Sequence, residues 1–544
     1  MSWESFYNRI SATARIKSFP DDSGGMKRLA ILVIGLGFVI RLFCFRYTSI
    51  ISPDGVLYIH QARAIYYGLT DSLTSCTLNF LSNYPIFIAG AYTIFGDWVV
   101  AAKSVSLVFG TMTLVPLYFL SKRFFDEEIS ILVTLIFALI PSFIDWSADV
   151  VRGPVFWFFS VLGLYLFVSQ LDSRNRLFLL LSSLSFLAAT WARAEAIVFI
   201  IVSSLYLLLA KQEGKFERVV IFVVPVVTIM LIAISGLLFD VSDLNLFRYK
   251  KMLAYGSSAI HRYEDLRLSL GDLANMPRWD ILDRFLFGAR HLIWWVALGV
   301  LLTSVAKTLF YPFFILFVVG LKGMLKKMKE DRGVCYLSIL SISTFLFLYL
   351  VIFVIWEMYT RYVGIFVFPS FIFIGFGLEK IISFVRSRFN LKEPVALAVV
   401  CLLILVSALP KNLKSSETDK RVFVKIAELI AEREGNNEEI LVVTSRQAIG
   451  WISFYANANF KGAPCPLKNY DLENIIGNGY EEFVQNLRKR GIRYFLWEEK
   501  HWPKVSAQYI SSQNARDFVR VGEWSHADTG KLILFKVMNL GTSP

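Results

Sequence analysis

This sequence predicts an α-helical polytopic membrane protein that ends in a small α/β domain outside the membrane. Three observations predict it. The chain of 544 residues is 56% hydrophobic and only 18% charged, whereas soluble domains carry about a quarter charged residues. Its apolar runs recur at the roughly 20-residue length that a helix needs to cross a bilayer. From residue 411 onward this hydropathy fades, and helical patterning alternates with β-branched runs.

The net charge of +13 does not point to nucleic acid. The basic residues collect in short loops between apolar runs, as cytoplasmic loops do, and there is no nucleic-acid motif. Aromatics are abundant, with 48 Phe and 13 Trp, as lipid-facing and interfacial surfaces require. Cys44, Cys76, Cys335, Cys401 and Cys465 form no CxxC pair and no metal spacing. Residues 28–47 are too long for a cleaved signal and lack a small-residue cleavage site, so they should stay as an anchor.

The elements follow in order. Residues 1–27 are polar and basic and belong in the cytoplasm, and the first span covers 28–47. The stretch SPDGVLYIHQARAIYYG, 52–68, comes next. Leu57, Tyr58, Ala62, Ile65 and Leu69 can share one helix face, with His60, Gln61 and Arg63 off it. Such a helix is expected to lie flat at the membrane surface. Asp54 then sits where membrane meets water, in a Pro-Asp-Gly turn that by itself is ordinary turn and N-cap chemistry.

The outer loop continues to 97 with a second apolar helix near 84–95. Further spans fall at 98–120, 129–143, 153–168, 177–190, 196–210 and 219–239. Residues 240–290 read as a long polar outer loop, followed by an interfacial segment with Trp294 and Trp295, so that 48–97 and 240–307 are the two large outer loops. A single span at 308–325 keeps Lys322, Lys326, Lys327, Lys329 and Arg332 inside. Spans at 334–355, 362–378 and 395–409 bring the count to about eleven.

An odd number of spans from a cytoplasmic N-terminus puts 411–544 outside. Helices at 422–434 and 480–490, with strands at 439–444, 492–497 and 532–537, make that part α/β. Cys76 and Cys465 are then the two cysteines placed outside. A disulfide between them would tie the first outer loop to the soluble domain.

Charge recurs at the outer ends of the spans. Asp54 follows the first, Lys103 sits near the outer end of the second, and Asp149 and Arg152 lie between the third and fourth. Arg193 and Glu195 lie between the fifth and sixth, and Glu357 and Arg361 between the ninth and tenth. Such groups close to hydrocarbon are costly unless paired or solvated in a cavity. Local pairing would explain Asp149 with Arg152 and Glu357 with Arg361, which have helix-neighbour spacing. Arg193 and Glu195 lie two apart and do not face each other on a helix. Converging in one cavity, these groups would bind a phosphorylated lipid, because arginine's planar fork meets phosphate oxygens in pairs. Carboxylates would remain for acid–base work.

The stretches SPDGVLYIHQARAIYYG, NYPIFIAGAYTIFG, DVVRGPVFWFF, WARAEAI and RYVGIFVFPSF resemble, in order and spacing over 28–410, the polyprenyl- or dolichyl-phosphate-sugar glycosyltransferases of the GT-C fold. The nearest resemblance is to the protein mannosyltransferase and aminoarabinose (lipid A) transferase superfamily.

The resemblance implies inverting transfer of a sugar from a polyprenyl-phosphate carrier, such as undecaprenyl phosphate, to an extracytoplasmic acceptor: lipid A or lipopolysaccharide, another glycan, or a protein. Asp54 matches the first-loop aspartate, the base that would deprotonate the acceptor hydroxyl, with Asp149 as the second carboxylate. Arg361 and Tyr362 match the late Arg-Tyr motif and would hold the donor phosphate, supported by Arg152, Arg193 and Lys103. Tyr58, Tyr84, Glu195 and Glu357 go with the substrate. No residues are assigned to a metal, and a divalent cation is the one cofactor candidate. The place implied is a bacterial inner membrane, with site and C-terminal domain on the periplasmic side. One departure is plain: aminoarabinose transferases carry Asp-Glu where this chain has Asp54-Gly55, which leaves sugar and acceptor open.

Two other classes fit less well. A transporter or lipid flippase should show internal repeats and charge near mid-span, and neither is present. A polysaccharide polymerase or ligase should have one large outer loop with paired basic motifs, which this chain lacks.

Overall fold

The structure, a computed structural model, describes residues 23–48, 50–209, 214–238, 249–274, 280–414, 418–435, 438–445, 448–468, 471–504, 506–510 and 517–538. The cytoplasmic segment expected at 1–27 lies almost wholly outside them. The chain divides into two compact units. One takes 1–44, 106–148 and 152–414; the other takes 45–105, 149–151 and 415–544. The division expected near 410 is therefore drawn differently, since the first outer loop groups with the C-terminal part.

The first unit is a helical bundle. Gly25–Tyr47, Trp98–Lys122, Gly153–Ser173, Ile281–Leu309, Arg332–Ile355 and Glu393–Asn412 are each long and apolar enough to cross a membrane. Two more stretches qualify only as bent pairs: Glu127–Leu139 with Pro141–Ala148, bent by 56°, and Thr360–Ser370 with Ile372–Phe389, bent by 64°. Arg176–Ala192, Ala194–Leu209 and Tyr311–Leu321 are apolar but shorter. By length and composition, six to eight of the described helices reach span length, against the about eleven expected from hydropathy.

The region 240–325 differs from its expected layout. Tyr249–Ala274 is helical, and Asp280–Leu309 is one helix of 30 residues. Residues 291–307 are thus part of a span-length helix. The chain breaks at Phe310, which has φ 67°, inside the span expected at 308–325. Pro312 follows and has no N–H with which to continue the ladder. The Tyr249–Ala274 helix packs on its neighbours through Tyr263, whose ring lies 4.8 Å from Trp294 and 5.9 Å from Phe353. Arg262 donates to the Val354 carbonyl at 3.0 Å.

The second unit holds a four-stranded sheet in the order β1-β2-β4-β3. β1 (Val442–Val443) pairs parallel with β2 (Tyr494–Glu498). β4 (Gly530–Val537) pairs antiparallel with β2 and with β3 (Phe518–His526). Val443, Phe495, Ile533 and Phe535 from the strands pack with Phe483, Leu487 and Trp502. The helices Arg421–Glu434 and Tyr480–Lys489 fall where expected. β3 was not foreseen, because it is an exposed edge strand with an irregularity between Arg520 and Gly522 that breaks its alternation.

The Pro53–Tyr67 helix also belongs to this unit. Ser52 caps it, its Oγ accepting from Gly55 N at 3.1 Å, with Pro53 in the first turn. Gly68, at φ 69°, ends it in the left-handed conformation. Every residue from Gly55 to Ala64 is buried, so this helix does not lie flat on a membrane surface with a polar side in water. Its polar side chains instead bond inward to backbone carbonyls. His60 bridges the Ser72 and Pro464 carbonyls, and Gln61 donates to Leu73 and Phe80. Arg63 donates to the Gly462, Asn457 and Phe460 carbonyls. Burial lowers the His60 imidazole below its ordinary value and brings the Arg63 guanidinium down to about 10, still charged at neutral pH.

The disulfide between Cys76 and Cys465 is present, with a Cα–Cα distance of 5.4 Å. Among the described residues, Cys44, Cys335 and Cys401 are free thiols. Replacing Cys76 and Cys465 with serine is expected to lower stability by about 2–4 kcal/mol. An unchanged unfolding midpoint in the purified double variant would count against a stabilising tie.

Candidate functional site

The arginines of the first unit come together at the ends of three apolar helices. Arg193 caps the C-terminus of Arg176–Ala192 in extended conformation, φ −145° and ψ 117°. It is 5% exposed. Its Nη1 donates to the Arg361 carbonyl at 2.9 Å, and its Nη2 lies 3.5 Å from Glu195 Oε1. Two positions apart on a helix, Arg193 and Glu195 would point apart, as expected from the sequence. They meet because the helix has ended and Ala194–Ala196 is a 3-10 turn.

Aromatic faces frame this cluster. The Arg193 guanidinium lies 4.9 Å from the Tyr362 ring and 5.8 Å from Phe156. The Arg361 guanidinium lies 5.1 Å from Tyr359 and 5.6 Å from Tyr362. Arg361 is exposed while Arg193 is buried. Arg193 therefore fixes the backbone of residue 361, whose own side chain is exposed. Arg152, half-buried at the start of Gly153–Ser173, donates from Nη1 to the Ala192 carbonyl at 3.2 Å. Gly364 lets the Thr360–Ser370 helix approach Trp157, since a Cβ there would stand 3.3 Å from the indole nitrogen. The motifs that contain Arg152 and Arg361 thus pack on each other.

Residues 357–359 are not helical, because the helix begins at Thr360. The helix-neighbour spacing of Glu357 and Arg361 therefore does not apply. Glu357 bonds the Tyr359 hydroxyl, which raises that phenol above its ordinary value. Tyr359 and Phe156 were not singled out in the sequence. The alternation Tyr359-Thr360-Arg361-Tyr362 was the available signal.

Asp54 and Asp149 lie in the second unit. Asp54 is half-buried in the first turn of the Pro53–Tyr67 helix, where a carboxylate suits the helix dipole. Asp149 Oδ1 accepts from Ser52 N at 2.9 Å and Val150 N at 2.6 Å, and Ser52 Oγ donates to the Val150 carbonyl. Gly55 completes the fit, because a Cβ there would come within 2.9 Å of the Val150 oxygen. The departure from Asp-Glu has this physical basis: position 55 has no room for a side chain. Trp451 and Tyr455, missed in the sequence, both hydrogen-bond the Ile51 backbone, Trp451 donating to its carbonyl at 2.8 Å, and steady the start of the helix.

Lys103, expected at the donor phosphate, and Tyr58 and Tyr84, expected at the substrate, have partners within this unit. Lys103 is buried, its ammonium donating to the Phe45 and Thr48 carbonyls at 2.5 and 3.3 Å. Tyr84 is fully buried, with its hydroxyl on the Ala102 carbonyl and its ring 5.6 Å from buried Tyr58. For the divalent cation, no three His, Cys, Asp or Glu side chains form a ligating group among the described residues.

The model of the dolichyl-phosphate-mannose-protein mannosyltransferase family matches residues 83–239. No curated protein sequence matches the chain. Solved structures share its fold at low identity. The oligosaccharyltransferase AglB from Archaeoglobus fulgidus, in complex with an inhibitory peptide and a dolichol-phosphate, is 12% identical with a TM-score of 0.54, over 88% of this chain and 69% of its own. ArnT from Cupriavidus metallidurans, bound to undecaprenyl phosphate, is 12% identical with a TM-score of 0.55, over 95% of this chain and 98% of its own. The A. fulgidus oligosaccharyltransferase in complex with Zn and sulfate is 14% identical with a TM-score of 0.50, over 86% and 68%. With a family match through 83–239 and this fold along most of its length, the chain is similar to the GT-C fold glycosyltransferases of the membrane.

Proposed function

We propose that the protein transfers one sugar from a polyprenyl-phosphate carrier to an acceptor on the extracytoplasmic side of the membrane, with inversion. The arginine cluster carries this reading. Arg361, steadied by Arg193 and flanked by Arg152, suits the phosphate of a lipid carrier, whose charge rises as it leaves. Fixed cations in a low-dielectric site stabilise that developing charge.

Asp54 takes the proton. The acceptor oxygen attacks the anomeric carbon, its hydrogen passes to the Asp54 carboxylate, and the bond from sugar to phosphate breaks with its electrons on the phosphate oxygen. Glu195 and Glu357 serve the sugar hydroxyls. No step is routed through a metal. The Cys76–Cys465 disulfide supports an oxidising compartment for the second unit, in keeping with a bacterial inner membrane and a periplasmic site. An acceptor among lipid A, another glycan and protein fits the fold equally.

The test is release of polyprenyl phosphate from polyprenyl-phosphate sugars by purified protein. No release with any donor, whatever acceptor is offered, would reject the reading. Arg361→Ala should weaken donor binding and turnover together. Arg361→Lys should recover only part, since an ammonium cannot reproduce the planar fork. Equal recovery by lysine would argue for charge alone.

A further inference from the structure

We propose that Arg41 and Asn412 are positioning residues: they hold the bend of a broken span and so set where the segment bearing Arg152 emerges. The role in transfer rests on the function proposed above. The broken span is Glu127–Leu139 with Pro141–Ala148, bent by 56°. Ile140 leaves helical dihedrals, at ψ 117°, and Pro141 has no N–H to return to the first half. The break therefore frees the last carbonyls of Glu127–Leu139. Within a bilayer such carbonyls must find partners inside the protein.

Both partners are present. The Ala138 carbonyl accepts from Arg41 Nη1 at 3.1 Å, and the Leu139 carbonyl accepts from Asn412 Nδ2 at 2.9 Å. Arg41 comes from the Ser23–Tyr47 helix and Asn412 from the end of Glu393–Asn412. Arg41 also reaches the second half of the broken span. Its Nε donates to Ser147 Oγ at 3.2 Å, and Ser147 passes its own hydrogen to the Phe143 carbonyl. One guanidinium thus bonds both halves, and its rigid fork tolerates only a narrow range of bend.

Two features mark the contact as built. Gly110 faces Ser147 with no room for a Cβ, and a Cβ on Gly37 would stand 3.2 Å from Ala138. Arg41 is 0% exposed, with Nη2 lacking a partner. A buried cation in a span is costly, and an apolar side chain would fill the volume without bonding the freed carbonyl.

The bend has a downstream effect. Pro141–Ala148 leads directly to residues 149–152, where Arg152 opens the next helix. Phe137 and Phe143, on either side of the break, lie 5.7 and 5.9 Å from Phe368. Phe137 also lies 5.5 Å from Phe371, the hinge of the second bent pair. The first half of that pair carries Arg361 and Tyr362. The two broken spans pack break to break, so the angle of one constrains the other.

The test compares wild-type, Arg41→Met and Arg41→Lys full-length protein by amide hydrogen exchange and donor kinetics. Arg41→Met should speed exchange over 138–152 by about tenfold, the loss of one buried bond. β4 should exchange as in wild type. Donor KM should rise by more than kcat falls, and Arg41→Lys should restore part of both. Unchanged exchange and KM in folded Arg41→Met would overturn the proposal. So would a uniform loss of protection through the chain, the mark of a merely structural residue. If Arg41→Met does not fold, Asn412→Ala carries the same test at the Leu139 carbonyl. Absence of transfer by the wild type would remove the functional reading, while the exchange arm still decides whether Arg41 holds the bend.

Discussion

Asp54→Asn is expected to lower turnover by roughly a hundredfold or more while donor binding is kept. The structure makes this a clean substitution. Ser52, not Asp54, supplies the side-chain cap to Gly55 N, and Gly68 closes the far end. Asparagine keeps the shape of the first turn. Part of what is lost to stability is a carboxylate's interaction with the helix N-terminus, about 0.3–1 kcal/mol. A fall in turnover far beyond that can be assigned to the missing base. Donor affinity, read by binding of a labelled polyprenyl-phosphate sugar, should stay near wild type. Near-normal turnover in folded Asp54→Asn would return Asp54 to a turn residue and make Asp149 the next candidate base.

Arg193→Met should cost stability and activity together. Arg193 is buried, pairs with Glu195 and holds the Arg361 carbonyl. Removing one member of a buried ion pair typically costs about 3–5 kcal/mol, because the other charge is left without compensation. The backbone at 361 also loses its brace, so the Arg361 guanidinium, the proposed phosphate ligand, loses its fixed position. Turnover should fall at least as far as in Arg361→Ala. Arg193→Met with Glu195→Gln should recover much of the stability but not the turnover. Recovery of both in the double variant would mean that the arginine only neutralises Glu195.

Much of the outline was legible in the sequence. Hydropathy marked a membrane protein, because the bilayer demands long apolar runs whatever the fold. β-Branched runs alternating with helical patterning marked the α/β part, because such side chains suit strands and amphipathic periodicity suits helices. A count of cysteines placed outside the membrane made Cys76 with Cys465 a possible pair, and the structure shows the bond. Asp54 and Arg361 became candidates because charge beside hydrocarbon is rare and because the family resemblance falls on them.

Hydropathy was less reliable for helix ends. Residues 291–307 form part of one long helix, since the run has no breaker before Phe310 and Pro312. Hydropathy does not register such a boundary.

What the sequence alone determined is the class of molecule and the residue types available for chemistry. These follow from local composition and spacing. What only the tertiary structure decided is which of those residues meet. Arg63, His60 and Gln61 read as the wet side of an interfacial helix, yet they are buried because carbonyls from residues 457–464 and 72–80 come to them. Lys103 read as a phosphate ligand, yet it bonds carbonyls at the end of the first span. Arg193 and Glu195, two apart, meet because the helix ends at Ala192, just before them, and a 3-10 turn follows. A polar side chain near the membrane must find a partner, but nothing in local spacing says whether that partner is a substrate or a carbonyl hundreds of residues away.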